Sequence, residues 1–130
     1  MTQPSRRERG ATAVEFALVV PVLLVLVLGI MEFGRVYYFQ TVLSGAAREG
    51  VRVMALQNSA ASARTATKAA AVGVTLTDAQ IAVGPSTCAV TGLTAPPNAT
   101  VTITYPMSYI TKFFGSSITL TGRGVMLCNG

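Results

Sequence analysis

Glu15 is the side chain in this 130-residue sequence whose surroundings most need explaining. It lies five positions after Gly10, and no ionisable residue follows it from Phe16 to Met31. A carboxylate carried into hydrocarbon costs at least about 2–3 kcal/mol, and such groups usually have a partner or a task. No basic residue occurs between Arg9 and Arg35. Cutting the chain after Gly10 would supply one, because Ala11 would then carry a free ammonium. That cation could pair with Glu15 of its own chain or, more usefully, of a neighbour packed alongside. Cleavage between Gly10 and Ala11 would thus make the counter-ion that Glu15 lacks.

The remaining reactive residue types are sparse. Cys88 and Cys128 are the two cysteines. In an oxidising compartment they are a reasonable pair, and the bridge would close a loop of about 40 residues, worth roughly 4 kcal/mol of chain entropy. Two free buried thiols are the other arrangement open to them. With no histidine in the chain, a thiol nucleophile lacks its usual base. Asp78 is the sole acid after Glu49, and with Thr77 before it reads as a turn or capping residue. Acid–base pairs and metal cages fail for want of ligands. Gly73, Gly84 and Gly92 fall at turns rather than in a phosphate-cradling loop. No catalytic residue, metal or cofactor is expected, and the chain is not expected to be an enzyme. Its 10 Lys+Arg against 5 Asp+Glu give +5. Losing residues 1–10 removes Arg6, Arg7, Arg9 and Glu8, which leaves 7 against 4, or +3. The bases are scattered, so nucleic acid is not an expected partner.

The element that must position Glu15 is the run GATAVEFALVVPVLLVLVLGIM, Gly10 to Met31. A helix from Ala11 to Met31 rises roughly 30 Å, the thickness of bilayer hydrocarbon, so membrane lipid is an expected partner. The run is longer than the core of a removable secretion signal, and no A-x-A pattern follows it near Gly29 to Arg35. Residues 1–10 read as a disordered polar leader. Three arginines within four positions of that leader favour a cytoplasmic N-terminus and an exported C-terminal part. Pro21, mid-run, removes the hydrogen bond to the Ala17 carbonyl and favours a kink. Glu32 to Phe39 supplies aromatic rings and the first charges after the gap, as expected at headgroup depth, with Glu32 and Arg35 spaced to pair on one helix face.

Helical spacing continues beyond the span. Phe39, Val42, Leu43, Ala46, Ala47, Gly50, Val51 and Met54 form an apolar stripe opposite Gln40, Ser44, Arg48 and Arg52. One helix is expected from Ala11 to Gln57, with its end at Gln57-Asn58-Ser59. A second, more exposed helix is expected over Ser59 to Ala71, capped by Ser59. After it, VGVTL, QIAVG and TCAVTG read as short strands broken by turn residues. ATVTITY, Ala99 to Tyr105, alternates most cleanly and should be closed by Pro106. Tyr109 to Phe114 reads as a loop or one helical turn. Ser117 to Cys128 reads as a last strand with a bulge at Gly122 or Gly124. The expected fold is α+β, with a small antiparallel sheet laid on the amphipathic part of the long helix.

Gly10 followed by ATAVE, with the acid fifth after the glycine and an apolar run behind it, is similar to the prepilin cleavage motif of type IV pilin-like proteins. Over residues 7 to 57, the combination of that motif with EFAL, Pro21, EFGR and AAREG resembles the TadE-like pseudopilins of the tight-adherence (Tad/Flp) pilus system. Ala11 stands where many pilins carry Phe, which fits the tight-adherence branch. The resemblance implies a prepilin leader (1–10), a transmembrane and amphipathic helix (11–57) and a periplasmic or extracellular pilin-like domain (58–130). It also implies a prepilin peptidase that cuts after Gly10, residence in the bacterial inner membrane, and an inner-membrane assembly platform. Other pilin subunits would be partners, in initiation or at the tip of a pilus, and Pro21 would mark where the helix stretches on assembly. The competing expectation is an uncleaved single-span protein with a periplasmic binding or scaffolding domain, in which Glu15 only tunes helix packing.

Overall fold

The computed structural model describes residues 6–89, 92 and 95–128, with side chains from residue 9 onward. The first five residues of the expected leader lie outside the described residues. The elements run α1 (Arg6–Gln57), α2 (Ala60–Ala70), β1 (Ile81–Gly84), β2 (Asn98–Ser108) and β3 (Ser117–Leu127). Single 3₁₀ turns occur at Asp78–Gln80 and Lys112–Phe114. A long apolar helix, a short helix and a three-stranded antiparallel sheet make an α+β fold.

The chain divides into two compact units, Met1–Gly34 and Arg35–Gly130. In the first, the described residues belong to α1. Helix starts at Arg6, five residues before the expected Ala11. The reason is local: Arg and Glu are good helix formers, and one Gly costs only about 1 kcal/mol against Ala, too little to stop a helix propagating back from so long a nucleus.

In the second unit α1 presents the expected stripe. Leu43, Ala46, Ala47, Val51 and Met54 are buried, joined by Ala55, with Phe39 and Val42 partly buried. Asn58 ends the helix in the left-handed region (φ 50°), its N–H still donating to the Met54 carbonyl at 3.0 Å. Asparagine tolerates that conformation better than most residues. Its Oδ1 accepts from the Cys88 N–H, so the residue that stops α1 also holds the segment after β1. Ser59 caps α2 by accepting from the Ser62 N–H at 3.2 Å.

Gly50 brings the two helices together. A Cβ there would fall on the Thr67 hydroxyl and press on the Ala63 carbonyl. Thr67 is fully buried, and its hydroxyl is satisfied by donating to that same carbonyl at 2.8 Å.

β2 pairs with both other strands. Ala99, Val101, Ile103 and Met107 are buried on one face of β2, and Thr100, Thr102 and Thr104 occupy the other. Ile81 stands opposite Ile103, and Leu120 opposite Tyr105, so the core face is continuous across the sheet. Four expectations need correction. VGVTL is not a strand: residues 71–77 form a turn and an irregular connection, in which Val74 and Leu76 are buried without strand partners. TCAVTG does not pair over Thr87–Ala89 either, and Val90 and Thr91 lie outside the described residues. The backbone N–H of Cys88 is committed to Asn58 instead of to a ladder.

Pro106 does not close β2, which runs on to Ser108 with Pro106 opposite Thr119. β1 flanks β2 only from Thr100 to Ile103, so at Pro106 the strand has a neighbour on one side, and a missing N–H is tolerated on such an edge. No bulge occurs at Gly122 or Gly124. The register steps one-to-one from Asn98–Leu127 to Ser108–Ser117. These glycines serve close approach: a Cβ on Gly122 would lie 2.5 Å from the Leu43 carbonyl oxygen, and one on Gly124 2.5 Å from that of Ala47. A disulfide joins Cys88 to Cys128, both 2% exposed, and ties the segment after β1 to the end of β3.

Candidate functional site

Gly10, Ala11 and Glu15 lie on one uninterrupted helix, and all three are exposed. Among the described residues no ion pair forms to Glu15. Beyond it, Phe16, Leu18, Val19, Val22, Leu23 and Leu24 are each more than half exposed, and Pro21 sits inside the same helix. The most apolar window of α1 has none of its residues buried, and α1 is long and apolar enough to cross a membrane. Covering a Val, Leu or Phe side chain is worth about 1.5–3 kcal/mol. A run of this kind therefore calls for an apolar medium or apolar partners. A helix is also the form in which a lone segment satisfies its own backbone there.

Where the charges resume, Glu32 and Arg35 differ in burial. Glu32 is buried, 3% exposed. Arg35 lays its guanidinium over the Phe39 ring, 5.5 Å from the centroid. Its Nη1 also donates to the Ser108 carbonyl at 3.4 Å. Phe39 stacks on Tyr105 at 6.0 Å, and Gln40 Nε2 donates to the Thr121 carbonyl at 2.8 Å. The helical period places Gln40 on the polar side of α1, and the hairpin contacts of Arg35 and Gln40 lie beyond its reach because they join residues more than 70 positions apart.

Arg48, Glu49 and Arg52 remain exposed, with Arg52 3.9 Å from Glu49. Screened by water, such a pair contributes little. Asp78 meets Lys68 at 2.8 Å. The hydrogen bond from Lys68, followed by its charge, holds the Asp78 carboxyl below its ordinary value of 3.8. Nearby, Arg64 Nε donates to the Ile81 carbonyl at 3.4 Å. These contacts fasten α2 to the start of β1. Among the described residues no three His, Cys, Asp or Glu side chains converge.

The arrangement leaves a long exposed apolar helix surface with one acid on it, five residues after Gly10. Residues 10–52 match the model of the TadE-like protein family. The match takes in Gly10, Glu15, the apolar run and most of the stripe, and stops short of α2 and the sheet. Neither a curated protein nor a solved structure matches the chain.

Proposed function

We propose, taking residues 10–52 as a TadE-like segment, that this chain is a minor pilin or pseudopilin of a tight-adherence pilus. A single-pass membrane protein fits both the apolar helix and the family match. In this reading the chain waits in the inner membrane with residues 58–130 on the periplasmic side. A prepilin peptidase cuts after Gly10, and an assembly platform then passes the mature chain into a pilus at initiation or at the tip. The reading is carried by one observation: a carboxylate, five residues after Gly10, on a stretch of helix where Phe16, Leu18, Val19 and the large apolar side chains from Val22 to Leu26 are each more than half exposed among the described residues.

The chemistry follows from that placement. Hydrolysis of the Gly10–Ala11 bond leaves a carboxylate on Gly10 and an ammonium on Ala11. In a low-dielectric setting that ammonium and a Glu15 carboxylate attract far more strongly than in water. Subunit packing then exchanges lipid contacts for helix–helix contacts in the register where the charges meet. Pro21 leaves the Ala17 carbonyl without its helical donor, which makes that turn the place where α1 most readily lengthens.

A second reading has its own support. The helix runs unbroken through Gly10 from Arg6, so the bond to be cut is helical before processing, as suits an uncleaved anchor that holds a periplasmic scaffold. Glycine at the site lowers the cost of opening that turn, which keeps cleavage the better reading. N-terminal mass analysis of protein extracted from host membranes with an active processing system separates the two. A chain that begins at Ala11 supports the pilin. An intact Met1–Gly10 leader replaces it with the anchored scaffold.

A further inference from the structure

The connection between β2 and β3 carries an exposed apolar cluster with no role in the core. Ile110 is 62% exposed, Phe113 77% and Phe114 61%, all within five residues of chain. Lys112 stands among them, exposed, and Tyr109 lies with its ring 6.5 Å from that of Phe114. A 3₁₀ turn over Lys112–Phe114 and a Gly115 at φ 110° keep the tip short and turned back into β3.

The position of this tip follows from the register of the hairpin on α1. Gly124 lies against Ala47, and Gly122 against Leu43. Thr121 accepts from Gln40, Tyr105 stacks on Phe39, and Ser108 accepts from Arg35. Each step toward the tip is thus matched by a step back along α1, until the hairpin ends at Arg35. Arg35 is the first basic residue after the apolar run, and Tyr37 and Tyr38 beside it are more than half exposed. Aromatic rings and cations at the end of a span belong at headgroup depth.

We propose that the Tyr109–Phe114 tip is a second membrane contact. Ile110, Phe113 and Phe114 enter the interfacial layer of the bilayer around the span, and Lys112 meets lipid phosphate. The charge order supports lipid as the occupant: the tip's one charge is positive, and the apolar side chains surround it. Such a foot would give the chain a lipid attachment besides the span. The inference rests on the reading of residues 11–31 as a membrane span.

The chain has no tryptophan, so single reporters are clean. Full-length Phe113→Trp, Leu24→Trp and Leu127→Trp variants would be reconstituted in phosphatidylethanolamine–phosphatidylglycerol vesicles, with and without lipids brominated high on the acyl chain. Leu24 lies in the span, and Leu127, 63% exposed, lies at the far end of β3 from the tip. The expected result is quenching and a blue-shifted emission for Phe113→Trp and quenching for Leu24→Trp, with Leu127→Trp unaffected. Quenching of Leu24→Trp without Phe113→Trp overturns the foot and leaves the span standing. Equal quenching of Phe113→Trp and Leu127→Trp also overturns it, since the tip would then be no more embedded than the rest of the sheet. Loss of quenching for all three overturns the span and the foot together.

Discussion

Asp78 shows how one exposed side chain sets a pH dependence. Its carboxylate receives a hydrogen bond from Lys68 in α2 and is held below its ordinary value of 3.8. A group whose acidity is strengthened by folding stabilises the native state fully above its unfolded value, and loses that contribution as pH falls through the folded one. The window therefore lies below about pH 4. Asp78→Asn is expected to lower the denaturant midpoint of the detergent-solubilised chain near neutral pH. The gap between wild type and variant should close on acidification to about pH 2. A gap that does not change with pH would assign the effect to something other than this pair. The sequence marked Asp78 as a turn or capping residue, and it does open the 3₁₀ turn after Thr77. Its partner was not legible, because Lys68 is brought to it only by the fold-back of residues 71–77.

At the scale of elements, the decisive contact is strand on helix without side chains between. Gly122 and Gly124 are two apart in a strand and so share a face. Leu43 and Ala47 are four apart in a helix and do the same. A methyl group on either glycine would meet helix backbone, which cannot rotate away. Gly122→Ala or Gly124→Ala should cost about 1–3 kcal/mol, as overpacking generally does. The cost should be read as faster hydrogen exchange in β2 and β3 peptides of the full chain. Gly45→Ala is the control: it is exposed, with open space where the methyl would go. It should leave exchange unchanged or slow it, since Ala is favoured over Gly in a helix by about 1 kcal/mol. The alternation of ATVTITY and the stripe from Phe39 to Met54 were readable because burial on one face imposes a period. Glycine in a strand signals either a bulge or a close approach, so a bulge at Gly122 or Gly124 is as good an expectation from sequence as the contact with α1. Only the packed partner tells them apart.

For the whole molecule, the proposed assembly makes Glu15 indispensable at one stage and idle at another. Glu15→Ala removes the single charge between Gly10 and Glu32, so membrane insertion should proceed at least as well as in wild type. Incorporation into pili should fall to a small fraction, counted as subunit in sheared fibres against subunit in membranes. Pili formed at normal levels by Glu15→Ala would remove the pairing role. The same change in an uncleaved scaffold would alter neither quantity, so the substitution separates the two readings independently of N-terminal mass.

The order of residues alone determined a helix long and apolar enough to cross a membrane, the acid set behind Gly10, the apolar stripe and C-terminal end of that helix, the capped second helix and the core of the cleanest strand. Each is written locally, as length, period or a capping residue, and survives without knowledge of neighbours. Tertiary structure decided the rest. It buried Glu32, carried β2 through Pro106, left residues 71–77 unpaired, and laid the β2–β3 hairpin along α1 until its tip reached Arg35. The last of these outcomes depends on carbonyls of the hairpin that accept from side chains more than 70 positions away, a pairing no window of sequence contains.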